Sequence, residues 1–208
     1  MKVLLINGSP HKNGCTFTAL QEVAGSLNGY GIETELYHIG SGAVQGCTGC
    51  YHCSKTGEGC IFKGDQVEEI LGIMENSHGL IVGSPVYYSA PNGSLMALLD
   101  RCFYSGGDVF AYKPAAALVS ARRAGTTAAL DCLYKYFANK GMPIVTSRYW
   151  NMVHGNKPDE VRQDLEGMQI MRALGDNMAW MLKSIEAGRD AGIQIPPLEK
   201  RVSTSFIR

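Results

Sequence analysis

The chain has 208 residues, with 19 Lys or Arg against 19 Asp or Glu, so it carries no formal net charge at pH 7. Without a basic excess it lacks the means to neutralise a phosphate backbone, which excludes a dedicated nucleic-acid binder, and no apolar run reaches the ~20 residues of a membrane span. At this length one core is stable without metal or disulfide staples, so a cluster of metal-type ligands is read first as functional.

The opening Met1-Lys2-Val3-Leu4-Leu5-Ile6-Asn7-Gly8 turns too soon for a signal segment, and a cytoplasmic location is expected. Apolar runs rich in Val, Ile and Leu at 2–7, 34–39, 79–83, 115–120 and 143–149, each bounded by Gly, Pro or Ser, read as buried strands. Between them lie segments of helical period: Phe17, Leu20, Val23 and Leu27; Val67, Ile70, Leu71 and Met74; Leu95, Leu98, Leu99, Cys102 and Phe103; Leu130, Leu133, Tyr134 and Phe137. Asp65 with Glu68 three residues on is a capping pair for the second of these. A longer helix is expected over about 161–185, with Leu165, Met168, Met171, Leu174, Met178, Met181 and Leu182 as a stripe that fills core, or else meets a partner subunit. The tail after Gly192, with Pro196-Pro197, should be extended on the surface. Alternating strands and helices imply an α/β fold: a five-stranded parallel sheet, doubly wound in three layers. No linker or repeat divides the chain, which is expected to be a single domain over 1–208, with a cysteine-rich loop at 46–64 and a C-terminal helix and tail over 160–208.

In such sheets ligands sit beyond the carboxyl ends of the strands. After the first strand, Gly8-Ser9-Pro10-His11-Lys12-Asn13-Gly14-Cys15-Thr16-Phe17-Thr18 is dense in small and hydroxyl residues and runs into a helix, a phosphate-binding pattern. It has neither the Lys of a Walker A loop nor dinucleotide glycine spacing. After the third, Gly83-Ser84-Pro85-Val86-Tyr87-Tyr88-Ser89-Ala90-Pro91 is a rigid loop against which a planar ring can lie, since two adjacent tyrosines cannot both point inward. After the fourth, Ser120-Ala121-Arg122-Arg123-Ala124-Gly125 adds positive charge to a helix start.

These segments, with Asn7-Gly8-Ser9-Pro10, Gly14-Cys15-Thr16 and Tyr149-Trp150-Asn151-Met152-Val153-His154-Gly155, resemble the flavodoxin-like NAD(P)H-dependent FMN reductases, and in particular their iron–sulfur flavoprotein branch. The resemblance implies strand order 2-1-3-4-5. It implies FMN phosphate on Ser9, His11, Gly14, Cys15, Thr16 and Phe17. The isoalloxazine would lie against Pro85, Val86, Tyr87 and Tyr88, flanked by Ala121, Arg122, Arg123 and Gly125. His11 and Lys12 stand where relatives often place an Arg. A homodimer or homotetramer is also implied, because relatives build the flavin site at a subunit boundary.

Seven cysteines are an odd count, and Cys47, Cys50, Cys53 and Cys60 form Cys-x2-Cys-x2-Cys-x6-Cys. That spacing suits a [4Fe–4S] cluster and resembles the iron–sulfur flavoprotein motif. Four thiolates on zinc, a redox dithiol at Cys47 and Cys50, and a loop of free thiols are the alternatives. Cys102 and Cys132 read as small core residues, and His154 as a hydrogen-bonded structural group rather than a general base. The expected function is an FMN-dependent oxidoreductase that takes hydride from NAD(P)H and reduces a flavin, quinone or other acceptor, small molecule or protein. No side chain serves as acid, base or nucleophile, because the chemistry resides on the cofactor. The alternative is an electron carrier that relays between FMN and a [4Fe–4S] cluster.

Overall fold

Leu4 and Ile6 of β1 (Lys2–Asn7) are buried on one face of the sheet, Val3 and Leu5 on the other. A strand apolar on both faces must be covered by helices on both. The computed structural model, which describes residues 1–197 with Glu199, Val202, Thr204 and Phe206, supplies them in the order α1 (Cys15–Gly29), β2 (Glu33–His38), α2 (His52–Thr56), α3 (Gln66–Glu75), β3 (Gly79–Tyr87), β4 (Ala90–Pro91), α4 (Gly93–Ser105), β5 (Ala115–Ala121), α5 (Thr126–Asn139), β6 (Met152–His154), α6 (Pro158–Gln163) and α7 (Leu165–Asp190). The strands run β2-β1-β3-β5-β6, every neighbouring pair parallel, and β4 pairs antiparallel with β3. With β4 set aside, this is the predicted order.

The two faces hold separate cores. Val67, Ile70, Leu98, Leu99, Leu130 and Leu133 of α3, α4 and α5 pack on Leu4, Ile6, Leu80, Val82, Ala117 and Val119. Leu20, Val23 and Leu27 of α1 pack with Met171, Leu174 and Met178 of α7 on Val3, Leu5, Ile81 and Leu118. The methionine stripe of α7 is therefore core, except Leu165, which is exposed. Asp65 caps α3 as expected, accepting the Val67 amide at 3.0 Å, while Glu68 reaches back to the Gly64 amide at 2.7 Å.

Four expectations need correction. β3 does not stop at Gly83 but runs on to Tyr87 and turns back through Tyr88-Ser89 into β4, so the supposed loop is a hairpin. The fifth strand is not 143–149. Ile144 makes one isolated bridge to Ala115, and the regular pairing comes later, from Met152 to His154 against Val119 to Ala121. Pro143 has no N–H for a ladder, and the Asn151 side chain takes the place of backbone by donating to Ala117 O at 3.0 Å. The long C-terminal helix is two helices broken at Asp164, whose carboxylate accepts the amides of His154 (2.7 Å) and Gly167 (2.9 Å). Finally, the cysteine loop carries a short helix of its own, α2. Residues 193–197 are exposed and irregular; the expected tail at 198, 200, 201, 203, 205, 207 and 208 lies outside the described residues.

Candidate functional site

Asn7 at the end of β1 shapes the loop that follows: its Oδ1 accepts the Ser9 amide (3.1 Å) and its Nδ2 donates to Lys12 O (3.1 Å). Gly8 donates its amide to Gly83 O at 2.8 Å, and a Cβ there would lie 2.8 Å from that same oxygen, so only glycine lets β1 and β3 leave the sheet this closely. Ser9 Oγ accepts the His11 amide (3.1 Å), and the loop ends at Gly14, the N-cap of α1, which offers no side chain to the amides of the first turn. Those amides and the helix dipole form a site of positive potential. A buried contact between the Thr16 and Ser120 hydroxyls (2.8 Å) ties this turn to the end of β5.

The loop opens onto a cleft of about 460 Å³ at the carboxyl edge of the sheet, within the usual range of cofactor pockets. Of the predicted residues, Ser9, His11, Gly14, Cys15, Thr16, Pro85, Val86, Tyr87, Ala121 and Arg122 line it. Phe17, Tyr88, Arg123 and Gly125 do not. Phe17 is half-buried on α1, Tyr88 stands fully exposed at the hairpin tip (105% of its reference area), and Arg123 presents its carbonyl to His154 Nε2 at 3.2 Å. Gly125 caps α5 at φ 93, and a Cβ there would lie 2.8 Å from Ser89 Cα, so this glycine seats the hairpin rather than the cleft.

Ser120 and Gly155, which lie in segments singled out from the sequence but were not assigned to the site, complete the lining with Asn156, Lys157 and Pro158, which lie in none. The signal for the last of these was present: Lys-Pro followed by Asp159 and Glu160 is a helix start with Pro in the first turn. Arg122 and Lys157 bring positive charge, and no carboxylate is among the lining residues. Burial pushes the thiol of Cys15 up, keeping it protonated, and it donates to Gly155 O at 3.6 Å. Burial likewise raises the Tyr87 phenol. His154 is hydrogen-bonded on both sides, its ring Nε2 to the Arg123 carbonyl and its amide to the Asp164 carboxylate.

A second cavity lies between the cysteine loop and α4. Cys47, Cys50, Cys53 and Cys60 all line it, together with Arg101 and Tyr104. Gly57 ends α2 in a left-handed conformation, which turns the chain so that Cys60 rejoins the other three. All seven cysteines are free thiols; Cys102 is buried, as expected, while Cys132 is only partly so. Among the described residues no three His, Cys, Asp or Glu side chains converge as ligands of one metal ion.

Residues 1–157 match the family described as NADPH-dependent FMN reductase. The chain belongs to that family. An iron–sulfur flavoprotein of Methanocaldococcus jannaschii is 30% identical over 197 residues, covering 89% of this chain and all of the relative. Another from the same organism is 30% identical over 190 residues, covering 83% and 92%. Among solved structures, RosB with bound 8-demethyl-8-formylriboflavin-5'-phosphate superposes with a TM-score of 0.69 at 16% identity, covering 100% of this chain and 94% of that one. An apo NADH:FMN oxidoreductase gives 0.64 at 17% identity, covering 86% and 89%. At such identities the structures establish the flavodoxin-like fold alone. The FMN reductase match contains all four clustered cysteines and every cleft residue but Pro158. α6 and α7 follow it, and no helix among the described residues is long and apolar enough to cross a membrane.

Proposed function

We propose that this chain is an FMN-dependent oxidoreductase that takes hydride from NADH or NADPH and reduces a second acceptor, with 1–208 acting as one FMN-binding domain. The observation that carries the proposal is the acid-free cleft at the sheet's carboxyl edge, where the uncapped first turn of α1 meets Arg122 and Lys157. The donor set fits a phosphate dianion: Ser9 Oγ, the amides of Cys15 and Thr16, and two nearby cations. Pro85, Val86 and Tyr87 give a flat, rigid wall for a ring, and Ala121 is small enough to let one approach. FMN, once bound, supplies the redox chemistry. The chain holds it, orients it and places Arg122 where negative charge on the ring or on a nicotinamide phosphate is stabilised. Phe17, Tyr88, Arg123 and Gly125 act from outside the lining.

The cysteine cavity favours a second, compatible reading, in which a [4Fe–4S] cluster on Cys47, Cys50, Cys53 and Cys60 relays electrons between the flavin and a partner. The residues fit by type: Cys47, Cys50, Cys53 and Cys60 line one small pocket beside a buried guanidinium.

The test is purification without oxygen, an absorption spectrum with iron and sulfide assays, then anaerobic addition of NADH or NADPH. Bleaching of the flavin by a nicotinamide supports the reductase, and about four irons per chain adds the cluster. Protein that binds no flavin overturns the proposal. Arg122→Ala should raise the dissociation constant of FMN or the KM for nicotinamide roughly tenfold, the loss of one charge-assisted hydrogen bond. If neither quantity moves, Arg122 has no part in the site.

A further inference from the structure

Arg101 is the largest of the fully buried side chains, 2% exposed in the middle of α4. A buried guanidinium is costly unless every donor is used and its charge is met, and here the partners share one location. Nε donates to Cys60 Sγ (3.3 Å), Nη1 to Asp65 Oδ2 (2.6 Å) and Gln45 O (3.4 Å), and Nη2 to Phe62 O (3.3 Å). The group also lies over the Phe62 ring, 5.1 Å from its centre. Gln45 precedes the cysteine loop, while Cys60, Phe62 and Asp65 close it. One side chain therefore ties both ends of the loop to a helix whose Leu98, Leu99 and Cys102 are fixed in the core.

We propose that Arg101 is the positioning residue of the cysteine pocket: it gathers the two ends of the 46–64 loop, holds the Cys60 sulfur at the cavity and sets a fixed positive charge beside the iron–sulfur group that the four thiolates carry. This rests on reading the pocket as a [4Fe–4S] site. Cys60 is the thiol most in need of such help. Cys47, Cys50 and Cys53 follow one another at a spacing that wraps a cluster by itself, whereas Cys60 returns after six residues containing two left-handed glycines, Gly57 and Gly59. Arginine suits the task because its planar fork serves four acceptors at once, and a lysine ammonium cannot span them. A cluster on four thiolates is anionic, and a hydrogen bond to one of its sulfurs with a cation nearby stabilises the form that has gained an electron. Arg101 accordingly raises the cluster's reduction potential.

The test uses the full chain, purified anaerobically and reconstituted with ferrous iron and sulfide. Three proteins are compared: the wild type, Arg101→Lys, and Arg101→Met combined with Asp65→Asn, which leaves no orphaned carboxylate and keeps a good helix cap. Thermal unfolding and FMN content report whether each is folded. Loss of iron to a chelator and the midpoint of a dithionite titration, one electron per cluster, are then measured. The double variant should lose iron roughly tenfold faster or more, the usual effect of removing an outer partner of a metal ligand, and its midpoint should move negative. Arg101→Lys should also lose iron faster but keep its midpoint nearer the wild type, because the charge remains. A merely structural role would leave the midpoint of the loaded protein unmoved. Folded variants that match the wild type in both quantities overturn the proposal while the cluster reading stands. A wild type that takes up no iron and sulfide overturns both. Should the double variant fail to fold, Arg101→Lys decides through its rate of iron loss.

Discussion

Asn151 shows how one side chain can hold an interrupted edge together. It is buried, and its Nδ2 donates to Ala117 O in the stretch of β5 that neither Ile144 nor β6 reaches. Asn151→Ala strands that carbonyl in the interior, at a cost of about 1–3 kcal/mol, so the melting temperature should fall by several degrees, about 2–4 °C for each kcal/mol in a chain of this size. An unchanged melting temperature would mean that water reaches Ala117. In the sequence Asn151 stands out only as one residue of the Tyr149–Gly155 motif, with no role of its own, and Arg101 does not stand out at all. Arg101 falls three residues after Leu98 on a helix read by its apolar face, and a single charge on such a face looks like a solvated exception until its partners are seen. Ser9, Thr16 and Arg122 were legible because each belongs to a local pattern: a small-residue loop after a strand, a helix start, a basic turn. Groups brought together from 40 or more positions apart, as Arg101 and Cys60 are, leave no such local pattern.

Among the elements, the β3–β4 hairpin departs most from its preferred sequence. Its two-residue turn, Tyr88-Ser89, has both residues at positive φ (50° and 61°), the conformation that Asn-Gly fills without strain. Such strain persists where its surroundings hold it, here the close approach of Gly125 to Ser89. Replacing the pair by Asn-Gly should stabilise the fold by about 1–2 kcal/mol while lowering turnover with NADPH and a quinone, because the rim of the cleft loses Tyr88. Equal stability would show that the turn is not strained, and equal turnover that Tyr88 is idle. The joint between β1 and β3 gives a pH dependence. His78 accepts the Lys2 amide on Nδ1 (3.2 Å) and donates its own amide to Lys2 O (2.7 Å). Burial, then the N-terminal ammonium, Lys113 and Arg189, hold its imidazole below the ordinary histidine range. The unfolded chain therefore binds the proton more readily, so stability is complete above about pH 6.5 and declines as the pH falls from there towards the folded pKa. His78→Gln should flatten the slope of melting temperature between about pH 5 and 7; parallel slopes would remove His78 as its source. The main helices were legible from their period, but not the break at Asp164, because the apolar period passes over a residue that acts through two hydrogen bonds.

For the whole molecule, the question is what covers the aromatic surface around the sheet's carboxyl edge. The inward face of α7 lies in the core, but Leu165 at the start of that helix is 78% exposed. Tyr149 and Trp150, a tilted pair 6.2 Å apart just before β6, are likewise exposed. Single exposed apolar residues are ordinary, but several large ones near a ligand cleft mark an interaction surface. A second copy of the chain is the partner that needs no further assumption, since most soluble oligomers are symmetric and one patch then serves both sides. On this argument the protein sediments at micromolar concentration as a multiple of 22.5 kDa. Trp150→Glu is the variant that discriminates, because Trp150 adjoins the Asn151–Pro158 segment that ends in the cleft wall. A charge buried at that contact should drive the assembly to monomer and weaken FMN binding together, if each flavin is closed over by the neighbouring subunit. Dissociation with FMN affinity unchanged would place the interface away from the cleft, and a wild type that sediments as a monomer would leave the aromatic rim to an electron-accepting partner.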